Sequence, residues 1–263
     1  AAGFLIGPEE KPGRHPYHHA GAFYVQEPSA SSAAPLADVR PGMKVADLCA
    51  APGGKSSQLA AALAGEGLLV SNEYSAQRAE ILKSNLERMG VANTVICNAD
   101  TADLAKAFPA FFDRVLVDAP CSGEGMFRKE PQALAEHCEG LVRQCAALRA
   151  QILDNAAGML APGGVLVFST CTFAPEEDEG QVAAFLSRHP EFSLLDCGVT
   201  FGAPGEANRC GGLPLEVEKV RRIWPCSGGE GHFLARMQKN GGEAPVLRPS
   251  KKARAPKPCP EWE

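Results

Sequence analysis

Short apolar runs alternate with longer amphipathic stretches along residues 41–195 of this 263-residue chain. The apolar runs predict five buried strands, at residues 44–48, 68–72, 94–97, 114–117 and 165–169. Apolar residues at helical spacing predict helices near residues 56–64, 76–89, 131–160 and 176–187. Neighbouring parallel strands are joined by crossover connections, which are usually helices. The alternation of strands and helices therefore predicts an α/β fold with a parallel sheet covered on both faces. Such sheets bind ligands beyond the carboxyl ends of their strands.

The two ends of the chain lack this pattern. Residues 1–40 are rich in Pro, Gly, Ser, Ala and His, and we interpret them as an irregular lead-in that could be the remnant of an N-terminal RNA-binding region. Residues 41–240 form the predicted main domain, which residues 221–225 and 232–237 are expected to close as a hairpin or edge pair. Residues 241–263 are interpreted as a basic Pro-rich tail, or as a linker to a missing C-terminal domain.

Composition narrows the class of protein. Hydrophobic residues make up 45% of the chain, which is enough for a sizeable core, and no apolar run is long enough to predict a membrane span. The ten cysteines include no Cys-x-x-Cys pair, so we expect reduced thiols, a cytoplasmic location and no metal site. The net charge of −5 does not favour a nucleic-acid partner, and RNA binding would require a local basic surface.

The first predicted strand runs into the segment Asp47-Leu48-Cys49-Ala50-Ala51-Pro52-Gly53-Gly54-Lys55. A glycine pair just before a helix lets the backbone approach a ligand closely, and the helix N-terminus favours negative charge. A phosphate loop is excluded because Cys49 stands where its first glycine is needed. The dinucleotide fingerprint Gly-x-Gly-x-x-Gly is absent as well.

Acidic residues follow three successive predicted strands: Glu73, Asp100 and Asp118. A carboxylate at the second strand end can accept hydrogen bonds from ribose hydroxyls, and one at the third can meet an adenine edge. Taken singly, Asp47, Glu73 and Asp100 are better explained as helix caps. As a set they favour a cofactor with ribose and adenine but no phosphate, because the negative charge of the acids would repel a phosphate. S-adenosylmethionine is such a cofactor.

Three segments together resemble the RNA cytosine-5 methyltransferases of the NOL1/NOP2/Sun type. They are residues 47–57, residues 118–123 (Asp-Ala-Pro-Cys-Ser-Gly) and residues 169–172 (Ser-Thr-Cys-Thr). Residues 24–30, 221–225 and 231–235 add to a resemblance that covers roughly residues 17–240. The bacterial enzymes that modify small-subunit 16S rRNA are the most similar subgroup. The resemblance implies a Rossmann-like, seven-stranded S-adenosylmethionine-dependent methyltransferase fold whose last hairpin is antiparallel, with residues 41–240 as the catalytic domain.

The resemblance also implies a cofactor site. Glu73 would bind the ribose and Asp100 the adenine, while Arg78 and Asp118 match further cofactor-side positions. The methionine end of the cofactor would be held by the loop residues Ala50, Ala51, Pro52, Gly53, Gly54 and Lys55.

Methylation of carbon 5 of cytosine needs a nucleophile, because this carbon reacts only after a thiolate has added to carbon 6. The resemblance assigns Cys171 as this nucleophile and Cys121 as the group that assists elimination and release. DNA cytosine methyltransferases use a Pro-Cys cysteine instead, so the reversed assignment stays open. Lys55 could supply the cation that ionises a thiol. Asp118 could donate a proton to cytosine N3, or stay ionised and bind the exocyclic amine.

Three other interpretations remain open at this point. The target could be tRNA instead of rRNA, the enzyme could methylate a small molecule or a protein, or the chain could be a noncatalytic RNA-binding or assembly factor. We expect a monomer in each case. Phe127, Arg128 and Lys129 could contact RNA or form a plain exposed loop. The acidic run at residues 176–179 is expected in the first turn of a helix, where it would complement the helix dipole.

Overall fold

A computed structural model, which describes residues 3–7, 9–227 and 229–242, contains a single sheet of eight strands in this part of the chain. The strands are β1 Lys44–Asp47, β2 Leu68–Asn72, β3 Thr94–Cys97, β4 Phe112–Asp118, β5 Leu160–Thr170, β6 Phe192–Leu195, β7 Arg221–Ile223 and β8 His232–Lys239. All five strands predicted from the apolar runs are present. The short β6 was not predicted, because its four residues carry too little pattern to identify a strand.

The sheet order is β3-β2-β1-β4-β5-β8-β6, and the first five strands are parallel. β8 lies antiparallel to β5, with Thr170 opposite Phe233. β6 and β7 both pair with β8, β6 along residues 236–239 and β7 along residues 232–234. The sheet therefore has seven positions, and two short strands share the last one. The predicted Rossmann-like methyltransferase fold and its antiparallel closing strand are confirmed.

The described residues contain seven α-helices, of which five pack against the sheet or the loops at its edge. The seven helices are α1 Pro16–His19, α2 Gly54–Leu63, α3 Ala76–Arg88, α4 Thr101–Ala107, α5 Pro131–Glu136, α6 Glu139–Met159 and α7 Glu179–Arg188. α4, α6 and α7 pack on one face and α2 on the other. α3 packs near the loop that follows β1. This arrangement leaves the carboxyl ends of β1, β2, β4 and β5 free to carry a site.

One predicted helix, residues 131–160, is divided into α5 and α6. The break falls at Cys138, whose backbone is extended and whose sulfur accepts a hydrogen bond from the Leu141 amide at 3.4 Å. The sequence gives no warning of this break, because neither glycine nor proline stands there.

The acidic run at residues 176–179 is mostly buried. Glu177, Asp178 and Glu179 are completely buried. Glu177 pairs with Arg149 at 2.7 Å, and Arg222 pairs with Asp178 at 3.0 Å and with Glu179. The predicted position at the start of a helix is confirmed for Asp178 and Glu179, which are the N-cap and the first residue of α7. The burial of the run was not predicted, because the buried arginines that neutralise it are distant in sequence.

The segment before residue 41 consists mainly of single helical turns. Its residues 33–37 nevertheless belong to the core, where Ala33 and Ala37 are fully buried against α2 and the sheet. This packing brings the preceding residues 24–29 next to the loop that follows β1.

Candidate active site

The loop between β1 and α2 makes a close turn over the edge of the sheet. Gly53 has a φ of 114°, a backbone conformation that side chains rarely adopt. A side chain at Gly54 would meet Tyr24 at 3.0 Å and Gln26 at 3.1 Å, so the loop and residues 24–26 pack without a gap. The two glycines thus keep the loop backbone low over the strand ends, as the sequence predicts for a cofactor loop.

Asp47, at the end of β1, lies beneath this loop. It is fully buried, and one carboxylate oxygen accepts a hydrogen bond from Ser56 Oγ at 2.7 Å. The other oxygen, Oδ1, has no partner in the described part of the chain. Burial raises the pKa of Asp47 to about 7, against the opposing effect of the Ser56 hydrogen bond. An unpartnered oxygen next to the loop can receive a donor from a bound ligand.

Glu73 and Arg78 connect the second strand end to the cofactor loop. Glu73 is buried and accepts a hydrogen bond from the Ser75 amide at 3.0 Å, and its other oxygen lies 3.3 Å from Arg78. Arg78 also donates to the Ala51 carbonyl at 2.9 Å. Both predicted residues therefore lie at the loop, with Arg78 acting as a bridge between Ala51 and the acid.

Asp100 follows β3 and is exposed. It caps α4 by accepting a hydrogen bond from the Ala102 amide at 2.8 Å, so the helix-cap interpretation holds for this residue. Capping uses one carboxylate oxygen, and the second makes no hydrogen bond to another described residue.

Asn72 organises this edge of the sheet and was not singled out in the sequence. Its side-chain amide donates to the Leu48 carbonyl at 3.2 Å and to the Ala99 carbonyl at 3.1 Å, and its oxygen accepts from the Ala99 amide. Its own carbonyl accepts from the Ala50 amide at 2.8 Å. One buried residue thus joins the loops after β1, β2 and β3. Asn72 could have been predicted as a site residue, because it is a polar residue at the end of a largely apolar strand.

Lys55 and Asp118 form the charged centre of the site. The lysine Nζ lies 2.6 Å from Asp118 Oδ2, and Ser169 Oγ donates to Asp118 Oδ1 at 2.7 Å. Burial acts to raise the pKa of Asp118, but the Lys55 ammonium and then His232 outweigh it and hold the pKa well below its usual range. Asp118 is therefore an ionised carboxylate that accepts hydrogen bonds, which favours the second of its two predicted roles.

His232, at the start of β8, is a further residue of the site that the sequence did not reveal. Its side chain is 2% exposed, and its Nε2 lies 3.5 Å from Asp118 Oδ1. Neither ring nitrogen makes a hydrogen bond to another described residue. In the sequence, His232 is only the first residue of a predicted closing strand. Its contact with Asp118 depends on the antiparallel register of β8, which the sequence does not show.

The two cysteine turns meet beside this centre. The sulfur atoms of Cys121 and Cys171 are 3.3 Å apart. Two further bonds hold the turns together: Ser122 Oγ lies 2.8 Å from Thr172 Oγ1, and the Gly125 amide donates to the Cys171 carbonyl at 2.8 Å. The structure therefore brings together the two motifs that the sequence analysis singled out.

The two thiols share a proton unequally. The hydrogen bond from Cys171 lowers the pKa of Cys121; burial opposes this shift and the Arg149 guanidinium adds to it. The pKa of Cys171 is held well above its usual value by its hydrogen bond to Cys121, by burial and by nearby negative charge. These directions favour ionisation at Cys121 over ionisation at Cys171.

The comparison with known families gives a single answer. The family described as 16S rRNA methyltransferase RsmB/F matches residues 35–238. The chain belongs to this family. The match covers every strand of the sheet except the last residue of β8, and it includes the cofactor loop and both cysteine turns.

Named members of the RsmB/F family are similar over most of the chain. The ribosomal RNA small subunit methyltransferase F of Cronobacter sakazakii is 38% identical over 242 residues, which are 90% of this chain and 49% of that protein. The protein of the same name from Serratia proteamaculans is 37% identical over 261 residues, 96% of this chain and 53% of its own length. The chain therefore spans about half the length of these curated relatives.

Solved structures agree with the RsmB/F assignment. A methyltransferase homologue from Pyrococcus horikoshii has a TM-score of 0.77 and 30% identity, covering 88% of this chain and 72% of that one. NSun6 from the same organism, solved with SFG, an analogue of S-adenosylmethionine, has a TM-score of 0.75 and 27% identity, with 88% and 56% covered.

Other surface features add little to the site of this RsmB/F-family chain. Arg128 and Lys129 both contact Glu230, at 2.9 and 3.4 Å, so their charge is partly neutralised. Among the described residues, no group of His, Cys, Asp and Glu is arranged to hold a metal ion, and no helix is long and apolar enough to cross a bilayer. The basic tail falls mostly on residues 243–263, outside the described residues.

Proposed function

We propose that this chain is the catalytic part of an S-adenosylmethionine-dependent enzyme that methylates carbon 5 of a cytosine in 16S rRNA. The observation that carries the proposal is the 3.3 Å contact between the Cys121 and Cys171 sulfurs beside the Lys55–Asp118 ion pair. A methyltransferase acting on oxygen, nitrogen or a small molecule would need only the cofactor loop and would leave two adjoining thiols without a task. The names of the RsmB/F family and of its curated members support rRNA as the substrate.

The residues fit S-adenosylmethionine as cofactor. Glu73 would accept the ribose hydroxyls, the open oxygen of Asp100 would meet the adenine, and residues 50–55 would contact the methionine end. The unpartnered oxygen of Asp47 gives the loop a buried acceptor for a cationic group. When bound, the cofactor supplies a methyl group on a positively charged sulfur.

The cysteine pair supports a covalent mechanism in which Cys171 attacks and Cys121 manages the proton. As the Cys171 sulfur adds to carbon 6, its proton passes across the 3.3 Å contact to Cys121. Transfer of this proton to the cytosine ring nitrogen N3 then leaves Cys121 ionised again. After carbon 5 has gained the methyl group, Cys121 removes the carbon 5 proton, the ring double bond reforms, and the Cys171 thiolate leaves. The Cys171 thiolate then takes this proton from Cys121 across the same contact, which restores the starting state of both sulfurs. The N3 proton is finally lost to water, so one proton is released per methyl group transferred.

Lys55 and Asp118 have supporting roles in this scheme. The ionised Asp118 would accept a hydrogen bond from the exocyclic amine of cytosine, which distinguishes cytosine from uracil. Lys55 keeps Asp118 ionised and partly opposes the rise in the pKa of the nearby Cys171 thiol, which its hydrogen bond to Cys121 and its burial cause. Residues 41–240 would act as the catalytic domain of a cytoplasmic, monomeric enzyme, and RNA binding beyond the target base would be assisted by parts of the protein outside it.

Transfer of tritiated methyl groups to RNA tests the proposal. The purified chain is incubated with labelled S-adenosylmethionine in three separate reactions, which contain 16S rRNA, assembled small subunits or tRNA. We expect label in 16S rRNA, which Cys171→Ala abolishes and the control Cys226→Ser retains, because Cys226 is exposed in the turn before β8. Label in tRNA alone would replace the substrate, and undiminished transfer by Cys171→Ala would indicate a different methylation chemistry. Binding of RNA without any transfer would indicate an assembly factor, and bisulfite sequencing identifies the methylated base.

A further inference from the structure

A buried ion pair lies directly behind the Cys121 turn. Arg149, on α6, and Glu177, in the 3-10 turn Pro175–Glu177 before α7, are both completely buried, and their charged groups are 2.7 Å apart. Neither residue lies in the cofactor loop or touches the Lys55–Asp118 pair. The proposed reaction does not use them, so their contacts need another explanation.

The pair holds the backbone on both sides of Cys121. Arg149 Nη2 donates to the Pro120 carbonyl at 2.6 Å, and the Ser122 amide donates to Glu177 Oε2 at 3.2 Å. Arg149 also donates to the Glu177 carbonyl at 2.7 Å, which fixes the two partners to one another. The carbonyl that precedes the cysteine and the amide that follows it are therefore held by one rigid unit.

Stability alone does not explain this arrangement. Removing two charges from water costs several kcal/mol, and a well-packed apolar pair of the same volume is often as stable or more so. What an apolar pair could not do is bond the Pro120 carbonyl and the Ser122 amide, or place a fixed charge one peptide away from a thiol. The pair is thus suited to control the position and the ionisation of that thiol.

We propose that Arg149 and Glu177 are positioning residues that hold the Cys121 turn against Cys171 and bias the proton shared by the two sulfurs toward Cys171. The inference deepens the proposed function and rests on it, because it assigns how Cys121 becomes the base of that reaction. The two residues act through the turn and do not touch the substrate. Their charges act in opposite directions on Cys121: the arginine stabilises its thiolate and the glutamate destabilises it.

This opposition makes the proposal testable in the protein without RNA or cofactor. The rate of alkylation of Cys121 by iodoacetamide is measured from pH 5 to 10 by mass spectrometry. Cleavage at Arg114 and Arg128 gives the peptide of residues 115–128, in which Cys121 is the only cysteine. In Glu177→Gln the curve should move to lower pH, and the rate near neutral pH should rise roughly threefold, equivalent to about half a pKa unit.

Removal of both charges should have the reverse effect. Arg149→Met/Glu177→Gln removes both effects on the Cys121 thiolate, and the stabilising effect of the arginine is the larger of the two. The alkylation curve should therefore move to higher pH, and the rate near neutral pH should fall. The double variant leaves no lone buried charge, whereas Arg149→Met and Glu177→Gln each leave one. Circular dichroism therefore checks that Glu177→Gln folds, and if it does not, the shift of the double variant to higher pH, or its absence, decides the proposal. Glu179→Gln is the matched control, because Glu179 is equally buried and paired with Arg222 but makes no contact with the Cys121 turn.

The proposal would be overturned if the alkylation curves of Glu177→Gln and of the double variant moved in the same direction, or if neither moved. The Arg149–Glu177 pair would then have only a structural role. The same variants are then compared in methyl transfer, where the acid limb of kcat against pH should move with the alkylation curve. Alkylation needs neither RNA nor cofactor, so a wild-type chain that transfers no methyl group would contradict the proposed function while the displacement of the curves stays measurable.

Discussion

The sulfur atoms of Cys121 and Cys171 lie 3.3 Å apart although the two residues are 50 positions apart in the chain. β4 and β5 are neighbours in the sheet, so the turns that follow them emerge side by side. Glu124 strengthens this contact by accepting a hydrogen bond from the Phe173 amide at 2.7 Å. The pairing of the two thiols is therefore a property of the folded sheet and does not require a bound substrate.

Mild oxidation should join the two sulfurs. Diamide, which accepts the two thiol hydrogens, should form a disulfide between Cys121 and Cys171, because the sulfurs need to approach by only ~1 Å. We expect a cross-link between the peptides of residues 115–128 and 150–188, loss of methyl transfer, and recovery of both with dithiothreitol. Cys226→Ser should behave like the wild type. Resistance of the wild type to diamide under native conditions would show that the sulfurs are not free to meet.

The roles of the two cysteines should separate in a trapping experiment. With RNA and S-adenosylmethionine, Cys121→Ala should accumulate a denaturant-resistant protein–RNA complex, because the adduct forms but its carbon 5 proton is not removed. Cys171→Ala should form none. Electrophoresis under denaturing conditions measures the complex. The opposite result, with the complex on Cys171→Ala, would make the Pro-Cys cysteine the nucleophile, as in DNA cytosine methyltransferases.

Lys55→Met should destabilise the protein in a pH-dependent manner. The pKa of Asp118 is lowered in the folded state, so its charge contributes stability above the unfolded pKa, and that contribution is lost as the pH falls through the folded value. Without Lys55, burial dominates and raises the pKa of Asp118 above its unfolded value, so Asp118 destabilises the variant as the pH rises from 4 to 7 but does not destabilise the wild type. The loss in free energy of unfolding, measured with urea, should therefore be larger at pH 7 than at pH 4. Lys106→Met, which breaks the exposed pair with Asp103, should cost little at either pH.

Asp47→Asn should change the pH dependence of stability in the opposite sense. Burial raises the pKa of Asp47 to about 7, above its unfolded value, so the folded wild type binds more protons between pH 4 and 7 and loses stability as the pH rises. The substitution introduces a neutral amide, so the variant should lose less stability than the wild type as the pH rises. Urea unfolding at pH 5 and pH 7.5 measures the difference between the two proteins. Equal slopes for wild type and variant would show that Asp47 is ionised in the folded protein.

The parts of the fold that could be predicted from sequence were those with a local signal. Apolar runs identified the five parallel strands, and the glycine pair at Gly53 and Gly54 identified the loop over their ends. β6 and α4 were missed because short elements carry little periodicity, and the break at Cys138 because it has neither glycine nor proline. The predicted cofactor and cysteine residues lie at one edge of the sheet because most of them follow a strand, and parallel strands place their ends together; their roles stay predictions.

The residues that were missed act through tertiary contacts. Arg149 and Glu177 meet only when α6 packs beside the turn before α7, and His232 reaches Asp118 only through the antiparallel register of β8. The burial of residues 177–179 was not predicted for the same reason, since charged residues are normally exposed and the arginines that pair with these acids are distant in sequence. The protonation state of Asp118 likewise depended on Lys55, whose distance to it no local pattern determines.

The position of β8 in the sheet has a consequence for how the protein is made. β8 is the last strand of the sheet in chain order, yet it lies between β5 and the shared edge of β6 and β7, neither of which pairs with another strand in the described part of the chain. During translation β5 therefore keeps an open hydrogen-bonding edge until residues 232–239 leave the ribosome. The nascent chain cannot complete its active site before then, because His232 arrives with that final strand.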